Sequence, residues 1–136
     1  MPTDSAPVIE QLRRLRATWV ARGWSWDRRL ECVASTLVFE DGPRAMQLVS
    51  AVLPERWTSQ TLSRAPRVVT DVAAATGGVR DDQILFATPD APVIAYGLWW
   101  PWGGESSNIS VRVGLAGRVS YDDQLNLREL FGALDD

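Results

Sequence analysis

The sequence predicts an α+β protein: an antiparallel sheet of about four to five strands, with an N-terminal helix, a central helix and a C-terminal helix packed mainly on one face. Three segments repeat apolar residues at helical spacing, and runs rich in β-branched and aromatic residues lie between them. A length of 136 residues and 46% hydrophobic content are typical of one globular domain. We therefore expect a single domain over residues 1–136, frayed at 1–4 and 135–136.

The N-terminal segment gives the clearest helical pattern. Asp4 or Ser5 can cap the helix, and Pro7 is tolerated in its first turn. Gly23 is expected to end it in the left-handed conformation. Spacings of four, three and four place a set of apolar residues on one helical face: Val8, Leu12, Leu15 and Trp19.

The next segment mixes strand and helix signals. Residues 33–39 combine β-branched and aromatic residues and predict a strand, which the turn signal Asp41-Gly42 follows. For residues 43–53 a helix opened by Pro43 is favoured, because Ala, Met, Gln and Leu are good helix formers. The alternative is a hairpin whose second strand is 46–52. A short strand is expected at 57–62.

The second half of the chain changes from helical to strand periodicity and back. Residues 66–76 predict the central helix, which Gly77-Gly78 would stop. Three strands are then expected, at 84–86, 93–100 and 108–113. Residues 122–131 predict the closing helix, since two aspartates in the first turn complement the helix dipole.

The residue inventory removes most catalytic machinery. All 14 basic residues are arginines, and the chain has no histidine. Imidazole bases, histidine-ligated metals, Schiff bases and phosphate-loop lysines are therefore excluded. The one cysteine, Cys32, can form neither an internal disulfide nor a structural zinc site. Adjacent aspartates such as Asp81-Asp82 fall at turns, where Asp is favoured for local reasons. We expect no enzyme activity, no cofactor and no metal.

Charge is unevenly distributed along the chain. Residues 1–80 hold 11 arginines and 8 acidic residues, whereas residues 81–136 hold 3 arginines and 9 acidic residues. An isoelectric point of about 4.9 argues against nucleic-acid binding, which usually needs a strongly basic domain. The sequence has neither an N-terminal signal peptide nor an apolar run long enough to span a membrane. These observations predict a soluble cytoplasmic protein without nucleic-acid or membrane partners.

Tryptophan is the residue type that points to a binding site. The chain has seven, in two clusters and one isolated position. These rings either fill the core or form a binding surface, where tryptophan is enriched because one ring buries a large area at little entropic cost. On the second interpretation, the expected partner-binding residues are Trp100 and Trp102 with Glu105, and secondarily Trp24 and Trp26.

Together these features predict a non-enzymatic, acidic protein-binding domain. In size, acidity and lack of catalytic groups the chain resembles small bacterial immunity proteins and secretion chaperones, although no shared motif carries the resemblance. That resemblance implies one partner protein, of the toxin or secreted-cargo type, which an acidic surface would steer and exposed tryptophans would hold. The alternatives are a small-ligand-binding module with a Trp-lined pocket and a structural homo-oligomer such as a homodimer.

Overall fold

The computed structural model describes residues 4–21, 23–102 and 108–134, except for the side chain of Trp102. In this part of the chain it contains four helices and six strands. The helices are α1 (Ala6–Thr18), α2 (Gly42–Val52), α3 (Arg67–Ala75) and α4 (Tyr121–Leu130). The strands are β1 (Ser25–Asp27), β2 (Cys32–Val38), β3 (Glu55–Trp57), β4 (Ile84–Ala87), β5 (Val93–Trp102) and β6 (Asn108–Gly117). The fraying expected at 1–3 and 135–136 lies outside the described residues.

The six strands form one antiparallel sheet in the order β1-β2-β6-β5-β4-β3. The long hairpin of β5 and β6 occupies its centre, and β2 joins β6 from a distant part of the sequence. The α+β prediction is confirmed, with slightly more strands than expected. The additional strand β1 has only three residues, Ser25–Asp27, too few to show an alternating pattern.

Helices pack on both faces of the sheet, but unequally. α1, α2 and α4 bury their apolar stripes against one face, which we call the three-helix face. Its core includes Leu12, Val49 and Leu127 from the helices and Val33 and Val113 from the strands. The predicted central helix, α3, lies on the opposite face, the α3 face, where Val69, Val72 and Ala73 pack on residues of β4 and β5.

The helix predictions hold except at the start and end of α1. That helix ends at Thr18 rather than at Gly23, because Trp19 is already extended. Gly23 does adopt a positive φ of 67°, but within the following connection. Ser5 precedes the helix without capping it, and its hydroxyl instead donates to a carboxylate oxygen of Asp123, 2.6 Å away. The helix favoured at 43–53 is confirmed as α2.

The strand predictions differ mainly at their ends. The strand expected at 57–62 is wrong except at Trp57, because β3 covers Glu55–Trp57. A turn follows, in which the backbone N–H of Thr58 donates to the hydroxyl of Thr61. β5 and β6 each run to ten residues, because they pair along their whole length from Val93–Gly117 to Trp102–Asn108. Within the described ranges, no helix is both long and apolar enough to cross a bilayer.

Candidate functional site

The α3 face is only partly covered by its helix. α3 packs over Leu85, Ile94, Tyr96 and Leu98, whereas the part formed by β2, β6 and the end of β5 is more exposed. The strand register brings Thr36, Ser110 and Trp100 into one row, and Ala34 and Arg112 into the next. We call five side chains of this region the open sheet surface: Ala34, Thr36, Val38, Trp100 and Arg112.

An aromatic, a cation and an anion meet on the open sheet surface. The guanidinium carbon of Arg112 lies 4.9 Å from the ring centroid of Trp100, a cation–π arrangement. A second contact, from its Nη1 to Oδ2 of Asp27, forms an ion pair. Only 20% of the Arg112 side chain and 18% of the Asp27 side chain are exposed, so this pair is shielded from screening by salt.

The ionisation of two groups beside this ion pair follows from their surroundings. Burial alone would raise the pKa of Asp27, but hydrogen bonds from the Leu30 N–H (3.0 Å) and from Arg112, together with the Arg112 charge, lower it below its ordinary value. Burial raises the pKa of the Cys32 thiol to about 11, although the Arg112 charge opposes the shift. Cys32 is therefore protonated at neutral pH and is a poor nucleophile.

A cavity of about 390 Å³ adjoins Trp100. Its remaining wall comes from the glycine pair after α3 and from the turn Arg80–Gln83. That turn is fixed at both ends: the Arg80 N–H donates to Oε1 of Gln83, and the Gln83 N–H donates to the Arg80 carbonyl, each at 3.0 Å. Trp100 therefore contacts Arg112 and also lines this cavity.

The structure separates the predicted partner-binding residues. Trp24 is buried on the three-helix face, with its ring centroid 5.0 Å from that of Trp19 and 4.8 Å from that of Phe131. Trp26 is half-buried on the same face, and the guanidinium carbon of Arg128 lies 4.8 Å from its ring centroid. Of the predicted residues, Trp100 is the one whose side chain is described on the α3 face. The side chain of Trp102 and the whole of Glu105 lie outside the described residues.

Sequence reasoning did not identify Arg112 or Asp27. Alternation within 108–113 correctly separates Arg112 from its apolar neighbours, but it does not reveal which residues lie beside it. The neighbours of Arg112 are set by strand pairing, because Leu98 and Ala34 pair with it from two other strands. Asp27 belongs to the strand that the periodicity missed.

Comparisons with models of protein families, with characterised proteins and with solved structures give no match to this chain. Its function is therefore argued from its own residues.

Proposed function

We propose that the protein is a non-enzymatic binding domain that holds one partner protein on the open sheet surface. The observation that carries the proposal is the half-buried Trp100 with Arg112 stacked on it, on the part of the sheet that α3 leaves exposed. Tryptophan and arginine are the two residue types that most often anchor protein interfaces. The Arg112–Asp27 ion pair and the contact of Arg112 with the Trp100 ring hold the Arg112 and Trp100 side chains in place. This reduces the conformational entropy that they lose on binding.

Exposed apolar and polar side chains continue the surface around this anchor. Val38 is 50% exposed and the next residue, Phe39, is 54% exposed. Thr36 is exposed between them and the Arg112 row. Interfaces commonly combine exposed apolar and polar side chains, and this surface has both.

The charges around the open sheet surface favour a basic partner. Glu40 and Asp41 follow Val38 and Phe39 in the chain, next to the end of the surface that Val38 forms. Asp81 and Asp82 lie in the turn beside Trp100, where Arg80 is the one opposing charge. The charge of Arg112 is itself offset by Asp27. A partner with a basic face would be attracted electrostatically, as we expect for the toxin or cargo type of partner.

The test uses the full chain to isolate its partner from a lysate of its source organism and then measures the affinity of the purified pair. Thr36→Arg adds a bulky positive charge to the centre of the open sheet surface without removing a buried contact. We expect it to weaken binding by about tenfold or more, which corresponds to about 1.4 kcal/mol. Raising the salt concentration should slow association of the wild-type pair.

Gln47→Arg is the matched control, because it adds the same charge at an exposed position of α2 on the other side of the molecule. It should leave the affinity within twofold of wild type by the same titration. Equal affinities for the two variants would refute this surface as the contact site. Light scattering of the free chain distinguishes the homodimer alternative, since Thr36→Arg would then convert a dimer to a monomer.

A further inference from the structure

A groove separate from the open sheet surface runs between α3, the β1–β2 turn and the start of α4. It consists of two adjoining cavities, of about 540 and 400 Å³, which share Glu31, Leu115, Ala116, Gly117 and Gln124 in their walls. Apolar side chains of α3, among them Val68 and Val72, form one side of the larger cavity. The groove therefore offers an apolar lining of the size that small ligands and inserted side chains occupy.

Glu31 stands at the junction of the two cavities in an unfavourable backbone conformation. Its φ is 55°, and in the described part of the chain it is the only non-glycine residue with positive φ. Glycine or asparagine would adopt this conformation at lower cost. Glu31 forms no ion pair with any described residue, so no local contact within the turn accounts for its carboxylate.

The polar groups along the groove favour a cation. Asp71 contributes a second carboxylate to the larger cavity, and Arg67, which also lines it, lies 3.9 Å from Asp71. The lining of this cavity therefore carries two carboxylates and one guanidinium. Tyr121 lines the smaller cavity and is 77% exposed, so its ring is available to a cation. A carboxylate and an aromatic ring beside an apolar wall match an organic cation with an apolar stem.

The wall shared by the two cavities also contains a hydrogen-bond acceptor to which no described group donates. Oε1 of Gln124 is buried, and no described group donates to it. Gln124 lines both cavities, but a ligand N–H reaches this buried oxygen only if the side chain rotates. Burial raises the pKa of the Tyr96 hydroxyl, with smaller contributions from Cys32 and then from Glu31, and both Tyr96 and Glu31 line the larger cavity.

We propose that this groove binds an alkylguanidinium or alkylammonium group, with Glu31 as the residue that recognises its charge. The stem packs against the apolar side of α3, and the cationic end lies between the Glu31 carboxylate and the Tyr121 ring. A small free amine and an Arg or Lys side chain of a partner share this chemistry. The proposal does not depend on the function assigned above to the open sheet surface.

The test follows backbone amide resonances of the full chain during titration with n-butylguanidinium, and with n-butylurea as a neutral analogue of the same shape. We expect saturable shifts at Glu31, Gln124 and Tyr121 with a millimolar dissociation constant for the cation, and none for the urea. N-acetylarginine methylamide gives the second arm. Tighter binding of this peptide-like probe assigns the groove to a partner side chain, and equal binding assigns it to free cations.

Glu31→Asn separates recognition from folding, because asparagine suits the positive φ but carries no charge. We expect this variant to have a Tm equal to or above that of wild type, and to bind n-butylguanidinium roughly five- to tenfold more weakly. Should the Asn variant fail to fold, Glu31→Gln keeps the side-chain length and tests the charge alone.

Glu55→Asn removes the same charge at an exposed position of β3 and should bind the cation as wild type does. Thr36→Arg should also leave cation binding unchanged, which separates this groove from the open sheet surface. The proposal is overturned by equal binding of n-butylurea, by undiminished binding to the folded Glu31 variants, or by the absence of saturation up to about 50 mM.

Discussion

The two faces of the sheet place the same residue type in different environments. On the three-helix face, Trp24 is closed in by Trp19 and Phe131 and is 7% exposed. On the α3 face, Trp100 packs against one cation and keeps part of its ring exposed. At these two positions, the helices packed over the strand decide how much of the tryptophan ring is buried.

The largest expected effect is on the three-helix face. Trp24→Ala should lower the free energy of unfolding by about 3–5 kcal/mol, because it leaves a large cavity beside α4. Trp100→Ala should cost clearly less, since part of that ring already contacts solvent. Urea denaturation of both variants measures the difference. Equal losses would mean that the two faces are equally well packed, contrary to the structure.

A smaller effect is expected where Gly114 faces the ring of Tyr96 on the α3 face. A Cβ added at Gly114 would lie 2.5 Å from the Tyr96 hydroxyl oxygen and 2.6 Å from Cζ of the same ring. Tyr96 is 4% exposed, so its ring can relieve this overlap only by shifting toward the larger cavity that it lines. Gly114→Ala should therefore lower the free energy of unfolding by about 1–3 kcal/mol.

The Gly114 effect should depend on the ring. In a Tyr96→Ala background the added methyl group has space, so Gly114→Ala should cost little there. A double-mutant cycle by chemical denaturation tests this coupling. Additive losses would show that the close approach of Gly114 and Tyr96 is not the cause.

The smallest of these effects concerns the end of the three-helix face, where α1 meets α4. Asp123 accepts from the Ser120 N–H at 2.9 Å and from the Ser5 hydroxyl, and the Asp123 N–H donates to the Ser120 hydroxyl. Burial acts to raise the pKa of Asp123, but these hydrogen bonds lower it below the ordinary 3.8. Asp123→Ala should lower the free energy of unfolding by about 0.5–2 kcal/mol at neutral pH.

The contribution of Asp123 to stability should decrease as the pH falls. Because its pKa is lower in the folded than in the unfolded chain, its stabilising contribution is full above the unfolded value of 3.8 and is lost as the pH falls through the folded value. The decrease in the free energy of unfolding caused by Asp123→Ala should therefore become smaller below about pH 4. Thermal or urea unfolding of both proteins from pH 2.5 to 7 measures this decrease. A loss that grew on acidification would contradict the lowered pKa.

The fold was more predictable from sequence than the candidate sites. Helical and alternating periods are local, so α2, α3 and the strands of the second half could be inferred from consecutive residues. The separation of Trp24 from Trp100 could not, because it depends on which face each strand presents and on which side α3 packs. The Arg112–Asp27 pair joins residues 85 apart, and nothing local indicates that spacing.

The hydrogen bond between Ser5 and Asp123 spans 118 positions of the chain and has a consequence for synthesis on the ribosome. This hydrogen bond forms only after α4 has left the exit tunnel. The central strand β6 is also translated late, so β2 has no neighbour on that side until then. During vectorial synthesis, at about 5–20 residues per second, the nascent first half therefore exposes the uncharged segment Cys32–Phe39 for several seconds. In this interval the chain most needs a chaperone that shields unpaired strands.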